Sequence, residues 1–154
     1  MDMTSVKDIM RKQGKADAED LANRAEAMDG TAIIAEETKI PPFVWGTDYS
    51  GCPKGTPVSY PVDGEVQIFT MITPVNTKHY PGINPNLNRD LFSLCHTTDP
   101  AKAKPFLDAQ GISGMYQIGE CCTDAGHVWR NLYADNVYRP SVLPERWEDL
   151  GERL

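Results

Sequence analysis

Residues 116–150, YQIGECCTDAGHVWRNLYADNVYRPSVLPERWEDL, decide how this chain is organised. Tyr116 is followed by Gly119, a short strand and a tight turn at Asp124-Ala125-Gly126. The aromatic strand VWRNLY comes next, then Asn136, and a close built from Pro140, Pro144 and Trp147. A looser copy of the same order lies upstream. It has Tyr49, Gly55, the strand PVSY, a turn at Asp63-Gly64, the strand EVQIFTMI, Asn84-Pro85, and the close DLFSL ending at Leu94. A repeated order of turns and aromatics makes the unit, rather than the whole chain, the object to explain. Units of this kind carry few groups that do chemistry, which points toward binding or assembly.

The segments around these turns read as strands. TPVSY, EVQIFTMI, GMYQIGECC and HVWRNLY have the alternating, β-branched or aromatic character of short strands. Asp63-Gly64 is a strong type I′ hairpin signal, and Asp124-Ala125-Gly126 fits a three-residue hairpin with Gly in the left-handed position. HYPGINPNLNRD is broken by Pro and Asn and cannot be regular. HTTDPAKAKPFLDAQGIS reads as a linker, with one helical turn after Asp99-Pro100, where Pro suits the first helical position.

Residues 1–40 differ in composition and read as helical. Ser5 with Asp8 resembles a capping box opening a helix that Gly14 would stop. Asp17 with Asp20 opens a second helix, whose Leu21, Ala25 and Met28 share one face; Asp29-Gly30 ends it. A third short helix starts at Thr31. The apolar stripe is thin, and a lone helix of this type is barely stable in water. It needs a partner surface, either its own C-terminal domain or further copies of itself. Pro41-Pro42 is a stiff boundary. The expected fold class is α+β: a helical anchoring or oligomerisation segment (1–40), a divergent first β module (41–97), a linker (98–115) and a second β module (116–154), both mostly antiparallel.

Composition narrows the function. The chain has 154 residues, 40% of them hydrophobic, and its 12 Gly and 12 Pro fall mostly after residue 40. A unit of about 35 residues is marginal alone, so each must lean on a neighbour. A net charge of −7 argues against a nucleic-acid partner, because phosphate binding needs a basic face. No apolar run reaches the ~20 residues of a membrane span. MDMTSVKDIMRKQGK is charged and has no apolar signal core, so synthesis and folding in a cytoplasm, without a signal peptide, is expected. The four cysteines then default to reduced thiols.

Several catalytic readings have weak support. Cys95-His96, Cys121-Cys122 and His127 are the candidate metal ligands, but adjacent ligands on a strand diverge, whereas zinc pairs need intervening residues; no metal or other cofactor is expected. The same residues could make a Cys/His nucleophile pair, though no context marks a lowered thiol pKa. Glu120, Asp124, Asp135, Glu145 and Glu148 could supply a carboxylate pair, which needs a cleft that so small a unit has little room for. A small cysteine- or carboxylate-dependent enzyme is therefore the minor alternative to a non-catalytic protein.

The aromatics remain. Tyr116, Trp129, Tyr133, Tyr138 and Trp147 crowd the later copy. Exposed, such rings with nearby Asn and Asp would form a shallow face suited to the apolar side of a sugar. Buried, they would be the core that a small unit needs. Trp147, between Pro144 and Leu150, reads first as core, as does Trp129; Tyr138 fits either reading. Asn136 reads as a turn former.

The order Tyr116-x-x-Gly119, hairpin, Trp129 strand, Asn136, Pro144 and Trp147 resembles the small chitin-binding-type carbohydrate-binding modules (families 5 and 12). The same pattern is common in short structural proteins of tailed bacteriophages, where it follows a helical N-terminal segment. The likeness covers 116–150 well and 49–94 loosely, since the earlier copy has Leu91 where the closing Trp would be and a longer loop from Met71 to Asn88. The resemblance implies a virion protein (a decoration, fibre or tail-tip component), assembled with other virion proteins and as a homo-oligomer, with three-fold symmetry expected for a fibre. It implies glycan binding through Tyr116, Trp129, Tyr138 and Trp147. A plain carbohydrate-binding module recognising chitin-like or cell-wall glycan is the alternative.

Overall fold

The computed structural model describes residues 3–153, with side chains from residue 11 onward. The fold is α+β. Helix α1 (Met3–Arg24) runs into a 3-10 turn, and α2 (Gly30–Ala35) follows. Two sheets come next. The first is β1 (Pro57–Val62), β2 (Glu65–Met71) and β3 (Phe92–Leu94), an antiparallel meander. The second is β4 (Lys104–Pro105), β5 (Cys121–Asp124), β6 (His127–Asn131) and β7 (Trp147–Glu152); β4 pairs parallel to β5 and the rest are antiparallel.

Gly14 does not stop a helix: α1 passes through it. A glycine inside a helix costs only about 1 kcal/mol. Side chains one turn apart, Gln13 to Asp17 at 2.9 Å and Arg24 to Asp20 at 2.9 Å, support the run across the glycine and beyond it. From residue 11 to residue 20 no side chain is buried; burial begins at Leu21 and Ala22. The last turn of α1 packs on the chain's own body. Leu21 and Ala25 join Ile33, Ile34 and Ile40 against Ile68 of β2 and Cys95. Asp29 caps α2, its carboxylate accepting from Ala32 N at 2.8 Å. Arg24 grips Glu36 with two hydrogen bonds of 3.0 and 2.9 Å, which with Lys39 hold the Glu36 carboxyl down at about 2.

The Asp63-Gly64 turn is the expected two-residue type, with φ of 53° and 81° and Val62 facing Glu65. The second hairpin is tighter than the sequence suggests. Asp124 pairs with His127, so Ala125 and Gly126 alone make the turn, with φ of 52° and 79°. Ala125 accepts the left-handed conformation, a strain that the strands on either side hold in place. Tyr116 lies outside the strands and pairs with Asn136 in an isolated bridge.

The segment 98–115, read as a linker, is built into the second unit. It supplies β4 and Phe106, which packs with Tyr116, Cys122 and Trp147. A helical turn at Pro100–Lys102 is present, with Asp99 accepting from Ala101 N at 3.0 Å. Gln67 of β2 donates to Pro105 O at 2.8 Å, tying the two sheets together.

Residues 95–98 join all three parts. His96 stacks on Tyr116 at 3.6 Å, and its Nε2 lies 2.9 Å from Gly114 O. Thr97 O accepts from Cys121 N at 2.7 Å, and Thr98 N donates to Thr31 Oγ1 at 2.9 Å. Gly30 sits so close to His96 that a Cβ there would overlap the His96 carbonyl. Gly30→Ala is therefore expected to cost about 1–3 kcal/mol through forced overpacking. Gly14→Ala, with nothing within 4 Å, should not lower the urea midpoint at all.

Burial, reinforced by the Arg89 charge, pushes the His96 imidazole down to about 4. The folded chain thus resists a proton that the unfolded chain takes up near 6.5. Stability should fall as pH drops from about 6.5 to about 4, by about 3 kcal/mol in all for this one group. Urea midpoints measured across that window should show the slope, and His96→Gln should flatten it. His127 acts in the opposite sense: Asp149 holds it above its ordinary value, so its contribution is present in acid and is lost as pH rises through that raised value.

Candidate binding surfaces

The four aromatics taken from the resemblance do not form one exposed face. Tyr116 is 2% exposed and Trp147 4%, both inside the second core. Their rings pack at 5.3 Å, and Phe106 stacks on Tyr116 at 5.1 Å. Trp147 Nε1 donates to Tyr138 O at 2.8 Å, so the buried indole is satisfied. Trp129 is half-buried against the same core and donates to Asp124 O at 3.0 Å. Only Tyr138, 46% exposed, offers its ring to solvent.

What fixes this division is a buried pair of amides. Asn131 and Asn136 are both fully buried. Asn131 Nδ2 donates to Tyr116 O at 2.8 Å, and Asn136 Nδ2 donates to Asn131 Oδ1 at 2.8 Å. Asn136 Oδ1 in turn accepts from Tyr138 N at 3.0 Å. Asn136 does shape the local chain, as read from sequence, but through a buried network that also includes Asn131.

Two surfaces do carry exposed rings. On the second unit, Arg146 lies over both Tyr133 and Tyr138, at 5.0 and 5.5 Å from their centroids. The sequence reading counted Tyr133 among the crowded aromatics and missed Arg146. Its cue was the aromatic–arginine composition of NLYADNVYRPSVLPER, which does not reveal which arginine reaches the rings. On the first unit, Phe43, Trp45, Tyr60, Pro81, Gly82, Ile83 and Asn84 line an open groove of about 570 Å³. Trp45 is 52% exposed, and Nε1 donates to Tyr80 O at 3.1 Å. The sequence reading gave sugar binding to the second unit and not to this divergent one, and it passed over Trp45, whose only signal was a large ring close to Pro41-Pro42.

Cys95, Cys121 and Cys122 are buried and Cys52 is half-buried. Cys121 and Cys122 point into different clusters, as alternation on a strand requires. Burial pushes the Cys95 thiol up to about 12 and raises those of Cys121 and Cys122 as well, which disfavours the thiolate that nucleophilic attack needs. His127 turns to Asp149, 2.9 Å away. Among the described residues no group of three or more His, Cys, Asp or Glu is placed to hold a metal ion, and no helix is long and apolar enough to cross a membrane. No family model, curated protein or solved structure matches the chain.

The division of aromatics can be measured. Trp147→Ala should cost about 3–5 kcal/mol in urea denaturation, as for a large core ring. Tyr138→Ala should stay within about 0.5 kcal/mol, as at the surface, because only its backbone carbonyl holds Trp147. Equal small effects would place Trp147 at the surface.

Proposed function

We propose that the chain is a non-catalytic structural component of a tailed-phage virion, a decoration, fibre or tail-tip protein whose β units make adhesive or docking contacts. The observation that supports this most is α1: from residue 11 to residue 20 it runs beside the body with no side chain buried. A polar helix with so little packing is marginal by itself and is stabilised by joining a further surface. Its two ends divide the labour. Leu21 and Ala22, with Ala25 of the following 3-10 turn, anchor it to the chain's own core, and residues 11–20 are left for other copies or other virion proteins.

The attribution to a virion rests on the sequence resemblance, and the helix-then-modules order is part of that resemblance. In an assembly, the two aromatic surfaces would be presented many times over. Weak single contacts would then sum to useful avidity without any new contact per copy. The acidic balance of the chain suits a solvated outer surface rather than a nucleic-acid face. A stand-alone carbohydrate-binding protein is the second reading, favoured by the aromatic groove at Trp45.

The test is light scattering coupled to size exclusion on the intact chain and on residues 17–154. That truncation keeps Leu21, Ala25, Ile33 and Ile34, which a cut at residue 41 would remove from the core. The intact chain should be a defined oligomer, with a trimer expected, and the shortened one a monomer of unchanged melting temperature. Two monomers would remove self-assembly through α1 from the reading, and two equal oligomers would place the contact elsewhere.

A further inference from the structure

We propose that the open groove on the first unit is a binding site for a neutral saccharide, with a sugar ring lying against Trp45 and its hydroxyls met by Asn84 and Tyr60. This rests on the adhesive reading above and gives the saccharide a place, on the first unit, that the resemblance does not.

The groove is held in shape before any ligand arrives. Phe43 is fixed by Tyr49 at 5.7 Å, Tyr60 at 6.0 Å and Phe92 at 5.6 Å. Trp45 is pinned by its bond to Tyr80 O. Rings fixed in this way lose little freedom on binding. Gly82, with φ of 76° and nothing within 4 Å of where a Cβ would stand, leaves its side of the groove open.

The unspent hydrogen-bonding groups select the ligand. Asn84 Oδ1 already accepts from Leu87 N at 2.9 Å. That bond sets the amide's orientation and leaves Nδ2, for which no protein partner is found among the described residues, as a pair of donors. The Tyr60 phenol is likewise unpartnered and can donate or accept. The Trp45 indole N–H, in contrast, is spent, so this ring offers its faces and no donor. Flat apolar faces beside a few donors and acceptors suit the C–H face and hydroxyls of a pyranose. An extended proline-rich peptide also docks in aromatic-lined grooves and could take the Asn84 and Tyr60 donors on its carbonyls, but it has no N–H to give back to the phenol oxygen, whereas a sugar hydroxyl both donates and accepts. Apart from the phenol no ionisable side chain lines the groove, so a charged sugar or phosphate would find no counter-charge there.

The experiment is a titration of the ¹⁵N-labelled full chain with chitotetraose, cellotetraose and maltotetraose, and separately with decaproline, followed by amide and indole shifts. At least one tetrasaccharide should move the Trp45 indole and Gly82 amide signals. Trp45→Ala should weaken that binding about tenfold, as for truncation of a central aromatic anchor. Asn84→Asp keeps the acceptor for Leu87 N but removes the donors, and should weaken it while leaving the spectrum folded. No shift with any saccharide at about 10 mM, well above a Kd of about 1 mM, would overturn the proposal. So would shifts with decaproline alone. Saccharide shifts confined to Tyr133 and Tyr138 would move the site to the second unit and leave the adhesive reading standing. Saccharide binding by a chain that light scattering finds monomeric would do the reverse.

Discussion

The stack of His96 on Tyr116 is the contact on which the rest of the structure depends. It lies where the first sheet ends and the second unit begins, and Gly30 brings the start of α2 against the same residue. Neither unit is large enough to bury a generous core alone, which is the ordinary limit on segments of this size. Their cores are separate: Val58, Phe69, Met71 and Phe92 in the first unit, and Phe106, Tyr116, Cys122 and Trp147 in the second. The joint at 95–98 lets each lean on the other and on the helices. Because the imidazole is buried and neutral there, the joint is strongest at neutral pH and weakens with acid.

That joint also determines which rings are free to bind. Tyr116 is held from one side by His96, from another by Phe106, and through its backbone by Asn131 and Asn136. A ring fixed so completely belongs to the scaffold. The units then present Trp45 on one and the Tyr133–Arg146–Tyr138 cluster on the other. Trp45 precedes β1, and Tyr133 and Tyr138 lie on the connection between β6 and β7, so the exposed rings sit on loops beside the sheets, the usual division between scaffold and contact.

Much of the fold is legible in the sequence because short-range chemistry dictates it. Asp63-Gly64 can hardly do anything but turn, Asp99-Pro100 opens a helical turn, and Cys121 and Cys122 diverge. The losses come where long-range contacts override local signals. Gly14 reads as a stop, yet neighbouring side-chain pairs carry the helix through it. The stretch 98–115 is polar and Pro-containing, but Phe106 finds a core and Lys104 a parallel partner strand. The candidate site was the least legible part. A Tyr or Trp carries the same letter whether it fills a core or faces water, and spacing does not separate the two for Tyr116, Trp147 and Tyr138. Trp45 was hidden because its groove is closed by residues 80–84, far away in sequence.

The account holds that helices, first unit and second unit form one cooperative body around His96 and Tyr116. Differential scanning calorimetry of the intact chain tests this most directly. A single transition, with the calorimetric enthalpy equal to the van't Hoff enthalpy per folding unit, is the predicted result. Two resolved transitions, one for each sheet, would contradict it and would return the β units to the status of independent modules on a linker.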